Sequence, residues 1–170
     1  MKKEQKIVAA GAATGVISMV AALILLPAWL PGLAPDANAG MRLAFAVKWI
    51  AVAALPLFVA IVVVGNGRFL SDAIDPTAHK ESSAMEINGR VVDNTLQQYV
   101  LLVAASLAVA AVSRGDQLAL LAAAAIIFVL CRFAFWIGYR IDPLYRAFGF
   151  ASTAYLNIIL FGVAIWRAWR

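Results

Sequence analysis

Arg90, Asn94 and Gln97 are spaced i, i+4, i+7, so on a helix they share one face. Arg132 and Tyr139 stand seven residues apart in a later apolar stretch, and Arg146 follows seven residues after that. A guanidinium pairs a carboxylate in bidentate fashion, and Asn and Gln amides match other amides. Together these groups describe a site for a small anionic, amide-rich ligand. An arginine within a membrane span costs about 2.5–3.5 kcal/mol at the helix centre, so Arg132 requires a protein partner or a wet cavity. The same residues could equally be interfacial anchors and interhelical hydrogen bonds, and spacing alone leaves both readings open. Other chemistries lack their residues. One histidine, His79, and one cysteine, Cys131, supply neither a metal cluster nor a Ser-His-Asp set. Cys131 lies in an apolar helix and reads as a core thiol.

The elements that must position these groups are set by hydrophobicity. Apolar residues make up 64% of the 170 positions, and the mean hydropathy is +0.88. A bilayer core needs about 20 consecutive apolar residues per helix. Residues 7–30, 43–64 and 148–166 meet or approach that length, as do 118–137 with one interruption at Arg132. Residues 99–112 span only with their polar N-terminal extension. Alternating ten-residue stretches, the mark of a membrane β-barrel, are absent. The fold expected is all-α, a polytopic membrane bundle of five helices.

The net charge of +5 comes without a basic block or basic-aromatic interleaving, so nucleic acid is not an expected partner. Lys2 and Lys3 with Ala37-Asn38-Ala39 resemble a signal peptide's ends, but the apolar stretch between them is too long, so segment 1 is read as a retained helix. Its Gly11 and Gly15 form a GxxxG that admits a close neighbour. Pro56 should kink segment 2, and residues 65–83 read as a loop. Ser83 and Glu86 form a capping box that starts a helix near Ala84 and runs to Val112. Asp142 and Pro143 are the expected N-cap and first residue of segment 5.

With the N-terminus inside, the inner side holds Lys2, Lys3, Lys6, Arg68, Lys80, Arg90, Arg132, Arg140 and Arg146. The outer side then holds Arg42, Lys48, Arg114, Arg167 and Arg170. Nine against five favours a cytoplasmic N-terminus. The starts of segments 3 and 5 and the end of segment 4 then share the cytoplasmic side.

At these residues the chain resembles the MAPEG superfamily, the membrane-associated proteins in eicosanoid and glutathione metabolism. Arg90 through Gln97 resembles the family's R-x-x-x-N-x-x-E/Q at the start of a transmembrane helix. Arg132 through Tyr139, followed by Pro143 through Gly149, resembles the segment spanning its third and fourth helices, and the seven-residue spacings from Arg132 to Tyr139 and from Tyr139 to Arg146 match those of the cysteinyl-leukotriene synthase branch. The likeness covers about residues 43–166. It implies a four-helix domain over residues 43–170, with a cytoplasmic loop at 65–83, preceded by an added N-terminal helix and outer turn at 1–42.

The resemblance further implies a homotrimer embedded in lipid, binding glutathione as co-substrate between subunits near the cytoplasmic side. By position, Arg90, Asn94, Gln97, Arg132 and Tyr139 would hold its carboxylates and amides, Arg146 would face the sulfur as the catalytic group, and Arg68 is a looser candidate. Gln97 stands where many members have Glu, Asp93 where some have Arg, and Phe135 where several have a polar residue. The function expected is that of a bacterial-type glutathione transferase or peroxidase, acting on lipophilic electrophiles in an inner membrane. A non-catalytic lipid-binding or scaffold protein of the same fold is the alternative. A small transporter ranks lower, because the midplane polar groups are chiefly Tyr155 and Asn157.

Overall fold

A computed structural model describes residues 2–169, with every side chain in that span except that of Pro76. Arg170, counted above on the outer side, lies outside the described residues. Helix α1, Lys3–Leu25, opens where the Gln5 side chain accepts from the Lys2 N–H at 2.9 Å. It tightens into one 3₁₀ turn, Leu26–Trp29, and then ends. Pro31 and Pro35 beyond it have no N–H to continue a ladder. Helix α2, Ala39–Ala53, is capped by Asn38, whose Oδ1 accepts from the Met41 N–H at 3.0 Å. The chain breaks at Ala54 and resumes as α3, Leu55–Phe69. Pro56 explains the break, since it cannot donate to the carbonyl four residues back.

Three boundaries differ from the sequence expectation. The loop begins after Phe69 rather than at Gly65, because α3 carries Gly65 and Gly67 in its last turns. Helix α4, Ser83–Val112, is capped one residue earlier than expected, with the Ser82 Oγ accepting from the Met85 N–H at 3.3 Å. Helix α5, Ala119–Ile141, follows a 3₁₀ turn, and α6, Ala147–Ala168, starts later than Asp142-Pro143 suggested. There the Asp142 Oδ1 accepts from the Leu144 N–H at 2.7 Å and its carbonyl from the Tyr145 N–H at 2.9 Å. Those bonds spend the Asp-Pro pair on a turn, and Arg146 becomes the residue flanking the helix.

Among the described residues, five stretches are long and apolar enough to cross a bilayer: α1 with its 3₁₀ turn, α2 with α3, α4, α5 with the turn before it, and α6. Ile17, Ile24, Phe58, Leu130, Ile137, Ile158 and Ile165 are all at least 60% exposed, a surface that suits lipid rather than water. Helix α5 is central. Its Ala122–Ala125 run and Phe128 are buried with Leu102, Leu121, Leu156 and Leu160. A Cβ at Gly149 would collide with the Cys131 carbonyl oxygen, so α6 lies backbone to backbone on α5.

The two ends of the bundle are distinct. At one end the α1–α2 connection packs on the α4–α5 turn, where the Leu33 N–H donates to the Gly115 carbonyl at 3.1 Å. Arg42 and Arg167 sit there, donating to the Ala111 carbonyl and the Ser113 Oγ. The other end gathers the loop, Arg68, Arg90, Arg140 and the α5–α6 turn.

Candidate functional site

One face of α6 forms the floor of a groove. Ala147, Phe150, Ala151, Ala154 and Tyr155 are spaced i, i+3, i+4, i+7, i+8, and the three alanines leave a trough. Arg90 and Asn94 on α4 form one wall, Val8 and Ala12 on α1 the other. Phe135 and Tyr139 near the end of α5, with Pro143, Leu144 and Arg146 of the following turn, close the foot. The groove's volume is about 730 Å³, within the range of small-molecule sites.

The foot is cationic. The Arg146 guanidinium lies 5.0 Å from the centre of the Tyr139 ring, and both Arg90 and Arg146 interact with the Tyr139 hydroxyl. Tyr139 is buried while Arg90 is exposed, so the groove grades from a packed phenol to an open rim. Among the described residues no acidic side chain lines it, the nearest influence being Glu86, one turn before Arg90 on α4. Two guanidinium groups without a lining carboxylate favour an anionic occupant.

Arg132 is placed behind the groove rather than in it. It is 1% exposed, its planar head 4.0 Å from the centre of the Phe135 ring. Its Nε and Nη2 donate to the Thr95 Oγ1 at 3.2 and 2.8 Å, and Nη1 to the Thr153 Oγ1 at 3.3 Å. Nη2 also donates to the Asn94 Oδ1 at 3.0 Å. These neutral acceptors share out a buried charge that has no carboxylate beside it. The bond to Asn94 fixes that amide with its oxygen inward, leaving the NH₂ as the end available to a ligand.

Of the residues singled out by spacing, the structure therefore brings Arg90, Asn94, Tyr139 and Arg146 to one groove. Gln97 lies exposed on the outer face of α4, beyond the groove's lining. Arg68 sits at the end of α3, 3.3 Å from the Glu81 carboxylate, and does not line the groove. Arg140 donates to the Asn88 Oδ1 at 3.3 Å, which also accepts from the Trp136 Nε1 at 2.9 Å. Deeper in the bundle, the Asn157 Nδ2 donates to the Gln98 carbonyl and Oε1, both at 3.0 Å.

Sequence reasoning missed Thr95, Thr153, Asn88 and Gln98. A signal for three of them existed. Asn88, Val91, Thr95, Gln98 and Leu102 recur at helical spacing on α4, and polar members of a buried stripe imply partners on facing helices. The apolar wall, Val8 and Ala12, had no such signal, because α1 is apolar nearly all round.

The family model of the MAPEG family matches residues 45–166, most of the chain. The chain belongs to the MAPEG family. Comparison with the curated proteins and with the solved structures gave no match. The MAPEG-matched span holds all seven residues named from spacing and resemblance, and all of the groove except the wall from α1.

Proposed function

We propose that this MAPEG chain is a membrane glutathione transferase or peroxidase that brings glutathione from the aqueous side to a lipophilic electrophile from the bilayer. The observation that carries this is the convergence of Arg90, Asn94, Tyr139 and Arg146 on the foot of a groove whose remainder is apolar. Glutathione has two carboxylates and two amides, which two guanidinium groups and an amide NH₂ can pair. Arg146 would stabilise the sulfur as a thiolate, its proton passing to water. In conjugation the thiolate forms a C–S bond, and an aryl halide loses halide. In the peroxidase reaction two glutathiones become one disulfide while a hydroperoxide becomes an alcohol and water.

We place the groove's foot at the cytoplasmic side, on the nine-to-five distribution of Lys and Arg and the separation of the two ends. A homotrimer is supported by the outer face of α4. Asp93 and Gln97 are exposed there beside Arg90, with Val100 and Ala104 continuing the stripe. If Val112 marks the outer boundary, a hydrocarbon core of about 30 Å reaches back roughly 20 residues, to Asp93. Gln97 then faces lipid unless a neighbouring subunit covers it, and that subunit would also close the open side of the groove. The lining of Phe135 favours a second use of the same groove, binding lipid without catalysis.

Titration calorimetry of the protein in lipid nanodiscs with glutathione, paired with turnover of 1-chloro-2,4-dinitrobenzene, tests the proposal. Saturable binding with turnover supports it. Binding without turnover of this substrate or of cumene hydroperoxide favours the non-catalytic use, and no binding at millimolar glutathione refutes it.

A further inference from the structure

Helix α1 lies outside the family-matched span, yet its most extensive partner is α6, the floor of the groove. The approach is set by glycine. A Cβ at Gly15 would collide with the Phe148 carbonyl oxygen and the Ser152 Oγ, while one at Gly11 would rest 3.5 Å from the Ala147 Cβ. Val8, Ala12, Gly15, Met19 and Leu23 follow one another at helical spacing, so they form a single stripe along α1. From Gly15 onward that stripe is buried in the bundle. Below Gly15 the same stripe meets unfilled volume, and Val8 and Ala12 become its wall. The floor opposite runs from Ala147 to Tyr155, about 12 Å, long enough for a chain of several methylenes.

We propose that α1 is the acceptor-selecting wall of this enzyme, with Val8 and Ala12 packing the apolar group that becomes attached to the glutathione sulfur. The assignment rests on the glutathione site proposed above. Its physical basis is polarity across one cavity. Gly11 meets Ala147 and Gly15 meets Phe148 and Ser152, so Val8 and Ala12 stand level with the first turn of α6, on the opposite wall from Arg90 and Asn94. With the tripeptide held by Arg90, Asn94 and Arg146, the sulfur's substituent faces α1 across the alanine trough. The family-matched span begins at residue 45, so this part of the apolar lining is supplied by the added helix alone.

S-alkyl glutathiones test this without requiring turnover. Each methylene moved from water to an apolar wall strengthens binding about fourfold, so S-hexylglutathione should bind the native protein at least about tenfold tighter than S-methylglutathione. Ala12→Phe fills the trough from one side and Val8→Trp from the turn below. Each should cut that ratio to about threefold or less, while the S-methyl affinity, which also reports folding, changes less than about threefold. Ile17→Phe, on the lipid-facing side of α1 at 68% exposure, should leave the ratio unchanged. A native ratio near one, or a native-like ratio in both wall variants, overturns the assignment while leaving the glutathione site intact. Failure of the native protein to bind glutathione or S-methylglutathione refutes the site itself instead.

Discussion

Arg146→Leu isolates the group proposed to hold the thiolate. A free cysteine thiol has a pKa of about 8.5, so at pH 7 only about 3% is thiolate. Arg146 offers one charge-assisted hydrogen bond, worth about 1.5–3 kcal/mol. It flanks the start of α6, whose N-terminal dipole adds about 0.3–1 kcal/mol for an anion. At 1.36 kcal/mol per unit, the two lower the bound thiol to about 5.6–7.2, which makes roughly 40–95% thiolate at pH 7. With leucine only the dipole remains, the pKa returns to about 8, and the thiolate fraction falls to about 10%. The assay is the ultraviolet thiolate absorbance of the glutathione-loaded protein, titrated from about pH 5 to 9. The sign of the linkage gives a second readout. Because the bound pKa is the lower one, binding releases a proton between the bound and free values, so affinity rises with pH across that window and is flat below it. The variant should lose most of that rise. An unchanged bound-thiol pKa in Arg146→Leu refutes the assignment, and Arg90, which shares the Tyr139 hydroxyl, becomes the next group to replace.

Arg132→Ala should weaken glutathione binding more than Arg140→Ala. Arg132 fixes Asn94 through a charge-assisted bond worth about 1.5–3 kcal/mol, whereas exposed Arg140 lies off the groove and should contribute about 0–1 kcal/mol; equal losses by calorimetry refute the link through Asn94. A cysteine at Thr77 should label only from the cytoplasmic side and one at Asp36 only from outside, both being exposed while native Cys131 is buried. Reversed labelling moves the groove's foot away from cytosolic glutathione. Native mass spectrometry in mild detergent should show a trimer, and a monomer across several detergents removes the cover proposed for Gln97.

The five spans were legible because a bilayer demands long apolar runs, and the sequence of this chain has little else. Their ends were less so. Gly65 and Gly67 carry loop propensities measured in water, where keeping each glycine helical costs about 1 kcal/mol relative to alanine and a frayed backbone can hydrogen-bond solvent instead. Near a bilayer an unsatisfied backbone group costs more than that, so α3 continues through both glycines to Phe69. Asp142-Pro143 failed differently. The pair fits a helix start and a turn equally well, and the closeness of Gly138 to Tyr145 decides for the turn. A Cβ at Gly138 would lie 2.8 Å from the Tyr145 carbonyl oxygen, so the chain must reverse tightly before α6 can begin.

The site shows the same division between what lies along a helix and what lies between helices. Arg90 and Asn94 are one turn apart on α4, and no packing detail can separate them, so their shared wall followed from spacing. Arg132 satisfies the same rule with Tyr139, yet the two side chains part, one into the bundle and one to the groove. The difference is Thr95 and Thr153, two hydroxyls on different helices that draw the guanidinium inward, and their meeting depends on how α4 and α6 are rotated about α5. That rotation is fixed by small residues such as Gly149, whose effect is steric exclusion and leaves no mark in hydropathy. A buried cation next to Asn94 is thus a consequence of glycine placement one helix away. Gly149→Ala, by pushing α6 off α5, should disturb glutathione binding although Gly149 lines no part of the groove.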